Sequence, residues 1–141
     1  MADALEYLKK VNGFDIVVMI DLLEHFKKDE ALELIHLTHK ALKDGGFFLI
    51  RTPNAENPLF GRFYDDFTHE TPFTRSSLRQ ILTSFGFQVL KVDFERQSYI
   101  RGGLFKHLKQ ITRSLGLGIL AKFLGLAPAA FSGDIIAVGK K

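Results

Sequence analysis

Asp21, Glu24 and His25 follow an apolar run at residues 14–20, and their types and spacing could hold a cation. On a helical turn, positions i, i+3 and i+4 share a face, so two carboxylates and one imidazole could ligate the same divalent ion. Alternatively, Glu24 and His25 cap and brace the start of the next helix. We favour the interpretation in which Glu24 and His25 brace the helix, and we predict no metal. A metal-dependent hydrolase built on Asp21, Glu24 and His25 is kept as a rival function.

His69 is the second candidate for chemistry, between Thr68 and Glu70 in a segment rich in aromatic residues. A neutral imidazole with a pKa of about 6.5 can take a proton from a substrate hydroxyl, which makes His69 a candidate catalytic base. The competing interpretation is that His69 holds its loop together through hydrogen bonds. The sequence leaves both interpretations open.

Residues 54–73 form a long segment without a helical or strand period, and they predict a binding loop. Asn54 ends a predicted strand, and Phe60, Tyr64 and Phe67 follow it. We predict that these four residues contact an apolar acceptor. A small satellite core built from the same aromatic rings is the alternative.

Apolar strands that alternate with helices position these residues. The predicted strands lie at 14–20, 47–50, 87–94 and 135–138, and the predicted helices at 3–10, 29–42, 74–85 and 104–115. This order predicts an α/β sheet with helices on its faces, in a single domain over 1–141 with a helical insert at about 101–131. The strand 14–20 is so apolar that burial on both faces is expected.

Local signals set the expected helix ends. Asp29 is the predicted N-cap of the second helix, whose buried face would carry Leu32, Ile35 and Leu42, with Thr38 or His39 between them. Gly45-Gly46 is predicted to end that helix, since glycine accepts the left-handed conformation of a C-cap. Thr74 is the predicted N-cap of the third helix, which would bury the apolar side chains at 78, 81, 82 and 85 before Gly86.

Three stretches, FDIVVMIDLLEHF, ALKDGGFFLIRTPN and FTHETPFTRSSLRQILTSFGF, resemble the second half of class I S-adenosylmethionine-dependent methyltransferases. The resemblance implies a partial Rossmann-like sheet equivalent to the fourth to seventh strands of that family, with the last strand antiparallel between the fifth and sixth. It also implies that Ile20, Asp21 and Leu22 line the cleft for S-adenosylmethionine, although Asp21 could simply begin a loop.

The sequence lacks two elements of that family, the glycine-rich turn after the first strand and the acid after the second. Gly116-Leu117-Gly118 has the glycine spacing but follows no buried strand. The resemblance therefore implies a truncated methyltransferase for a small-molecule or lipid-like acceptor, inactive alone. Strand 14–20 would be a bare edge, which predicts a dimer or larger homo-oligomer. A non-catalytic binding or oligomerisation module on the same scaffold is the alternative function.

Composition limits the remaining classes. The chain has no cysteine, which excludes thiol nucleophiles and thiolate metal sites, and neither a signal peptide nor a membrane-spanning stretch is evident, so we expect a cytoplasmic protein. Residues 96–133 contain six Lys or Arg and no acid, which suggests an anionic neighbour. The segment 104–124 could meet an anionic membrane surface or pack on the sheet, whereas a nucleic-acid partner is not favoured.

Overall fold

The computed structural model describes residues 4–57, 63–95 and 132–141, together with residues 115–116, 118–119, 122–123 and 125. Phe60 and the greater part of the predicted insert at 101–131 lie outside these residues. None of the helices in the described ranges is long and apolar enough to cross a membrane.

Strands and helices alternate as the sequence predicts. In chain order the elements are α1 (Ala4–Leu8), β1 (Phe14–Ile20), a short 3₁₀ turn (Leu23–His25), α2 (Lys28–Ala41), β2 (Leu42–Pro53), α3 (Arg75–Ser84), β3 (Gln88–Phe94) and β4 (Asp134–Lys140). The predicted α/β class is confirmed.

The four strands form one sheet in the order β1-β2-β4-β3. β1 and β2 are parallel, with Val18 opposite Leu49, and β4 is antiparallel to both β2 and β3, with Ala137 opposite Ile50 and Val92. The last strand of the chain therefore lies between its two predecessors. This is the arrangement that the resemblance implies, so the partial Rossmann-like sheet is confirmed.

One face of the sheet is covered by α2 and α3, and a single apolar cluster joins them. Its fully buried members from sheet and helices include Phe48, Ile50, Ile135, Ala137, Leu34, Ile35, Leu78 and Leu82. Burying such side chains stabilises the fold by about 1.5–3 kcal/mol each before entropy is counted. This covered face fixes the strand ends that carry the candidate site.

The opposite face, called the open face below, carries alternate residues of the same strands. Ile16, Val18 and Ile20 are 55%, 54% and 57% exposed. The prediction that 14–20 is buried on both faces is wrong for the described residues, because β1 is the edge strand and the described helices pack on the other side. Among the described residues β1 lies at the edge of the sheet, as predicted.

α2 begins earlier than predicted. Lys27, not Asp29, is the N-cap, and the Glu30 carboxylate accepts a hydrogen bond from the Lys27 N–H at 3.1 Å. An acid at the third helical position, here Glu30, can cap the helix in this way. The prediction of Asp29 as the N-cap is therefore wrong. The buried face shifts accordingly: Leu32 is partly exposed, and Ala31, Leu34, Ile35, Thr38 and Ala41 face the core.

Gly45-Gly46 does not end α2, which stops at Ala41, and that prediction is wrong. The pair lies inside β2, where β1 and β2 lose register between Phe14 and Ile16. Gly45 has φ 80°, and a Cβ on Gly46 would lie 3.1 Å from the Asp15 carbonyl oxygen. Glycine is needed here for a bulge and a close strand approach, not for a helix cap.

α3 follows its prediction closely. Thr74 Oγ1 accepts from the Ser77 N–H at 3.0 Å, and Ser77 Oγ accepts from the Thr74 N–H at 2.9 Å, forming a reciprocal cap. Leu78 and Leu82 are fully buried, and Gly86, with φ 86°, follows the last turn. The predicted start, buried face and end of this helix are confirmed.

Candidate functional site

The candidate site lies where the parallel strands β1 and β2 end side by side. Ile20 is opposite Arg51, so the residue after β1 lies beside the last residues of β2. Asp21 has φ 49°, a left-handed conformation that Asp tolerates better than most side chains. Such backbone conformations concentrate at functional sites.

Asp21 is tied to Arg51 across the two strand ends. Arg51 Nε donates to Asp21 Oδ1 at 3.2 Å, and an Arg51 terminal nitrogen donates to Asp21 Oδ2. The backbone N–H of Asp21 also donates to the Arg51 carbonyl at 3.0 Å. The hydrogen bond to Asp21 raises the pKa of Arg51, so its guanidinium stays charged. Arg51 is therefore paired with the Asp21 carboxylate, which the sequence suggested as a candidate ligand for a metal or a cofactor.

Ile20 and Leu22 differ in their availability to a ligand. Ile20 projects from the open face with more than half of its surface exposed. Leu22 is partly buried and packs against the core. Of the three predicted cofactor-lining residues, Ile20 therefore presents the most apolar surface, and Asp21 presents a paired carboxylate.

Glu24 is completely buried beside the same strand ends. Thr52 Oγ1 donates to Glu24 Oε2 at 3.0 Å, whereas Glu24 Oε1 has no hydrogen-bond partner among the described residues. Burial raises the pKa of this carboxyl. The Glu24 carbonyl accepts from the N–H groups of Glu70 and Thr71 at 2.7 and 3.1 Å. Glu24 therefore anchors the loop before α3, and the prediction that it braces the start of α2 is wrong.

These backbone hydrogen bonds bring His69 against His25. Their ring centroids are 4.8 Å apart, with the rings at 64°. His25 Nδ1 lies 3.3 Å from the Thr68 carbonyl and 2.9 Å from Thr68 Oγ1. The Glu24 carbonyl is hydrogen-bonded to the Glu70 N–H, so the residues next to each of them, His25 and His69, become neighbours. The same contact brings Thr68 to His25, 43 positions away in the sequence.

His69 also forms a hydrogen bond within its own loop, which is the geometry that the loop-holding interpretation predicts. Its Nδ1 lies 2.8 Å from the Phe63 carbonyl oxygen, which only accepts, so Nδ1 carries the proton. Its Nε2 is left as the basic nitrogen, 3.8 Å from Asp66 Oδ2. The loop-holding interpretation fits this geometry, and the basic Nε2 leaves the catalytic one open.

The predicted acceptor residues are spread over different environments. Asn54 is buried, donating to the Ser132 carbonyl at 3.0 Å and accepting from the Glu56 N–H at 2.9 Å, so it joins the end of β2 to the start of β4. Tyr64 and Phe67 are exposed. The structure therefore brings Tyr64 and Phe67 to the surface and withdraws Asn54 from it.

Arg51 and Thr52 were missed from the sequence, although a usable signal existed. Parallel strands end at the same edge, so a cation and a hydroxyl at the end of β2 must lie near an acid at the end of β1. Counting from the predicted strand ends would have paired Asp21 with Arg51. No local pattern pointed to Asp66, which lies in the irregular loop.

Solved structures share this fold. A SAM-dependent methyltransferase from Archaeoglobus fulgidus is 25% identical, with a TM-score of 0.71 over 99% of this chain and 66% of that one. Magnesium protoporphyrin IX methyltransferase from Synechocystis PCC 6803, with bound SAH, is 11% identical, with a TM-score of 0.56 over 99% of this chain and 49% of that one. The chain therefore spans about two thirds or less of these proteins.

A third structure is the 1,6-didemethyltoxoflavin-N1-methyltransferase of Burkholderia thailandensis, with bound 1,6-didemethyltoxoflavin and S-adenosylhomocysteine. It is 16% identical, with a TM-score of 0.58 over 95% of this chain and 48% of that one. At this identity, and at that of the Synechocystis enzyme, the likeness concerns the fold. No curated protein sequence matches the chain.

The described residues fit part of an S-adenosylmethionine site. The exposed Ile20 side chain offers an apolar surface for a flat base at the carboxyl end of a parallel strand, where α/β sheets bind ligands. The Asp21 carboxylate is engaged by Arg51, and the described residues contain no glycine-rich turn between a strand and a helix. Ile20, Asp21 and Leu22 would border such a ligand without enclosing it.

A family model supplies the assignment. The model described as "Methyltransferase domain" matches residues 2–92, which include β1, α2, β2, α3 and most of β3. The match covers more than half of the chain, and the sheet order and the solved structures agree with it. They support S-adenosylmethionine as the cofactor of this family. The chain belongs to the methyltransferase domain family.

Proposed function

We propose that this chain takes part in S-adenosylmethionine-dependent methyl transfer to a small-molecule or lipid-like acceptor. The observation that carries the proposal is the shared end of β1 and β2, where Ile20, Asp21 and Leu22 lie within a methyltransferase fold. We also propose that a polypeptide outside these 141 residues completes the cofactor site. Alone, the chain should bind the cofactor weakly and transfer no methyl group.

The reaction needs alignment more than covalent help from the protein. When bound, the cofactor supplies a methyl group on a positively charged sulfur. The chain's own part is to hold the acceptor in line with that group and to take a proton from an acceptor hydroxyl. His69 Nε2 is the proposed proton acceptor, because its Nδ1 is already bonded to the Phe63 carbonyl.

The loop after β2 is the proposed acceptor side. Tyr64 and Phe67 are exposed, and Phe63 packs on both Tyr64 and His69, with ring centroids 5.1 and 5.3 Å away. Exposed aromatic rings on a loop suit a flat or lipid-like molecule. Phe60 belongs to the same proposal from the sequence. Asn54 keeps a supporting role in it, since its amide fixes the loop to Ser132.

A titration of the ¹⁵N-labelled chain with S-adenosylhomocysteine tests the proposal. We expect the amides of Ile20, Asp21 and Leu22 to shift without saturating at about 1 mM ligand, as a half-site implies. Ile20→Lys should abolish these shifts, because a cation replaces the apolar surface. Shifts that occur only elsewhere, or none up to several millimolar, would remove the support for a cofactor role.

Ile16→Lys is the matched control for that titration. Ile16 lies on the same strand and face as Ile20, with nearly the same exposure, but at the opposite end of β1 from the site. Any effect of a new charge on the β1 edge or on self-association should appear in both variants. A loss of the shifts in Ile20→Lys alone therefore isolates the cofactor surface.

The second candidate function, a binding or oligomerisation module, is favoured by the edge of β1. We propose that a second copy of the chain pairs with this edge, because Ile16, Val18 and Ile20 expose an apolar stripe along a strand at the edge of the described sheet. Sedimentation velocity should show a dimer that Val18→Lys dissociates. Leu90→Lys is the control, since β3 is the other edge strand and Leu90 is 50% exposed. A monomer at all concentrations would refute the pairing.

The segment 104–124 is the proposed contact with an anionic membrane surface. Among its described residues, Leu115, Ile119 and Phe123 are exposed at four-residue spacing, beside the exposed Lys122. The chain should float with phosphatidylserine vesicles, less with phosphatidylcholine vesicles, and not at all after Phe123→Glu. Equal flotation of the wild-type chain and the Phe123→Glu variant would contradict this contact. A cytoplasmic location stays a prediction from the sequence.

A further inference from the structure

The strand ends hold a group of side chains that the proposed methyl transfer does not require together. One ligating atom each from Glu24, His25 and His69 lies within 4.8 Å of the others. The group joins a buried carboxylate to two half-buried imidazoles. It differs from the set that the sequence suggested, because Asp21 is drawn to Arg51 and His69 takes its place.

Both imidazoles are oriented as metal ligands usually are. His69 Nδ1 donates to the Phe63 carbonyl at 2.8 Å, so in the neutral ring Nε2 is the nitrogen with a free lone pair. His25 Nδ1 faces two oxygens of Thr68, at 3.3 Å for the carbonyl and 2.9 Å for the hydroxyl. A metal-ligating histidine almost always donates its other N–H to an oxygen in this way, which fixes the ring and its tautomer.

A third residue fixes the direction of the hydrogen bond to His25. Thr68 Oγ1 lies 2.6 Å from Asp66 Oδ1, and a carboxylate only accepts, so the hydroxyl donates its proton to Asp66. The same hydroxyl must therefore accept from His25 Nδ1. His25 Nε2, like His69 Nε2, is left as a basic nitrogen. The Asp66 carboxylate, whose pKa the Thr68 hydrogen bonds lower, adds negative charge 3.8 Å from His69 Nε2.

Glu24 supplies the independent indication of a ligand. Its side chain is completely buried, and Oε2 accepts from Thr52 while Oε1 has no partner among the described residues. An unpartnered buried carboxylate oxygen costs free energy unless a proton or a cation satisfies it. A cation between Glu24 and the two imidazoles would remove that cost.

We infer that Glu24, His25 and His69 bind one divalent cation of the Zn²⁺ type. Two imidazoles and one carboxylate favour the late first-row metals over Mg²⁺ or Ca²⁺, which take oxygen ligands. In a tetrahedral site with Zn–N distances of about 2.1 Å the ligand atoms lie about 3.4 Å apart, so atoms that are now up to 4.8 Å apart must close by up to about 1.4 Å. Three protein ligands leave a coordination position open for water or for an acceptor oxygen.

The metal-stripped full chain, titrated with Zn²⁺ by calorimetry, tests this inference. We expect one equivalent to bind, and Mg²⁺ to bind more weakly. Glu24→Gln and His69→Gln should each weaken Zn²⁺ binding by at least about 10-fold, and His36→Gln, an exposed histidine on α2, should not change it. Equal affinity for the wild type and both ligand variants, or no Zn²⁺ binding by the wild type, would overturn the site.

A second readout guards against variants that fail to fold. In the long-range ¹H–¹⁵N spectrum of the wild-type imidazoles, Zn²⁺ should shift Nε2 of His25 and His69 and leave His36 and His39 unchanged. Shifts at His36 or His39 instead would assign the metal to the surface. These readouts measure metal and not S-adenosylhomocysteine, so their failure leaves the proposed methyl transfer untouched. A bound cation would take the His69 Nε2 lone pair, so Zn²⁺ binding would remove His69 as the proton acceptor and leave the cofactor surface at Ile20 unaffected.

Discussion

The two faces of the sheet are built from the same strands and differ in almost everything else. On the covered face, Phe48, Ile50 and Ala137 are fully buried under α2 and α3. On the open face, Ile16 and Val18 keep more than half of their surface exposed. Successive residues of a strand point to opposite faces, so one apolar sequence serves both. One face therefore supplies the stability of the chain, and the other leaves apolar side chains exposed.

The largest expected effect is a difference in the free energy of unfolding between isoleucine substitutions on the two faces. Ile50→Ala should lower the free energy of unfolding by about 2–5 kcal/mol, because it leaves a cavity in the covered face. Ile16→Ala, on the open face, should change it by less than about 0.5 kcal/mol in the monomer. Urea denaturation at low protein concentration measures both. Similar losses would mean that the open face is covered in solution.

A smaller effect should follow from loosening α3, which covers β3 and β4. Thr74→Ala removes the side chain that caps the helix, and it should lower the free energy of unfolding by about 1 kcal/mol. Thr83→Ala, an exposed position in the last turn of the same helix, is the matched control. Urea denaturation compares the two variants, and equal losses would show that the cap contributes nothing.

The smallest expected effect is a pH dependence of the free energy of unfolding, and it arises from His39 at the edge of the covered face. His39 packs edge-on against Phe87, with ring centroids 4.8 Å apart. Burial, followed by the positive charges of Lys141 and His36, lowers the pKa of His39, and Asp44 opposes this weakly. The unfolded chain then binds the proton more tightly than the folded one.

The sign of that dependence follows directly. Stability from His39 is fully present above its unfolded pKa, about 6.5, and is lost as the pH falls below that value towards the lower folded pKa. Thermal unfolding between pH 7.5 and 5 should therefore show a decline that His39→Gln reduces. His36→Gln is the comparison, and a decline left unchanged by His39→Gln would assign it to other groups.

Local signals were enough for the strands and for α3. Thr74 could be recognised as a cap because its hydroxyl bonds three residues ahead, and the 3.6-residue period placed Leu78 and Leu82. Gly45-Gly46 misled because glycine serves a helix end and a strand bulge equally well. The difference depends on the approach of β1 to Gly46, which is a tertiary contact.

The candidate site was predictable only in part, because its contacts span long stretches of chain. Asp21, Glu24 and His25 could be named from their spacing, and His69 from its chemistry. Their grouping could not, since it depends on the Glu24 carbonyl accepting from Glu70 and on Arg51 capturing Asp21. No period in the sequence encodes either hydrogen bond.

The most direct test of the account is a calorimetric titration of the chain with S-adenosylhomocysteine, run beside its mass in solution. We expect the 141 residues to carry one side of the cofactor site, at Ile20, Asp21 and Leu22, beside an open sheet face. The dissociation constant should then be weaker than about 1 mM, whether the chain is a monomer or a dimer. Micromolar binding by the chain alone would contradict this expectation, because the site would then be complete.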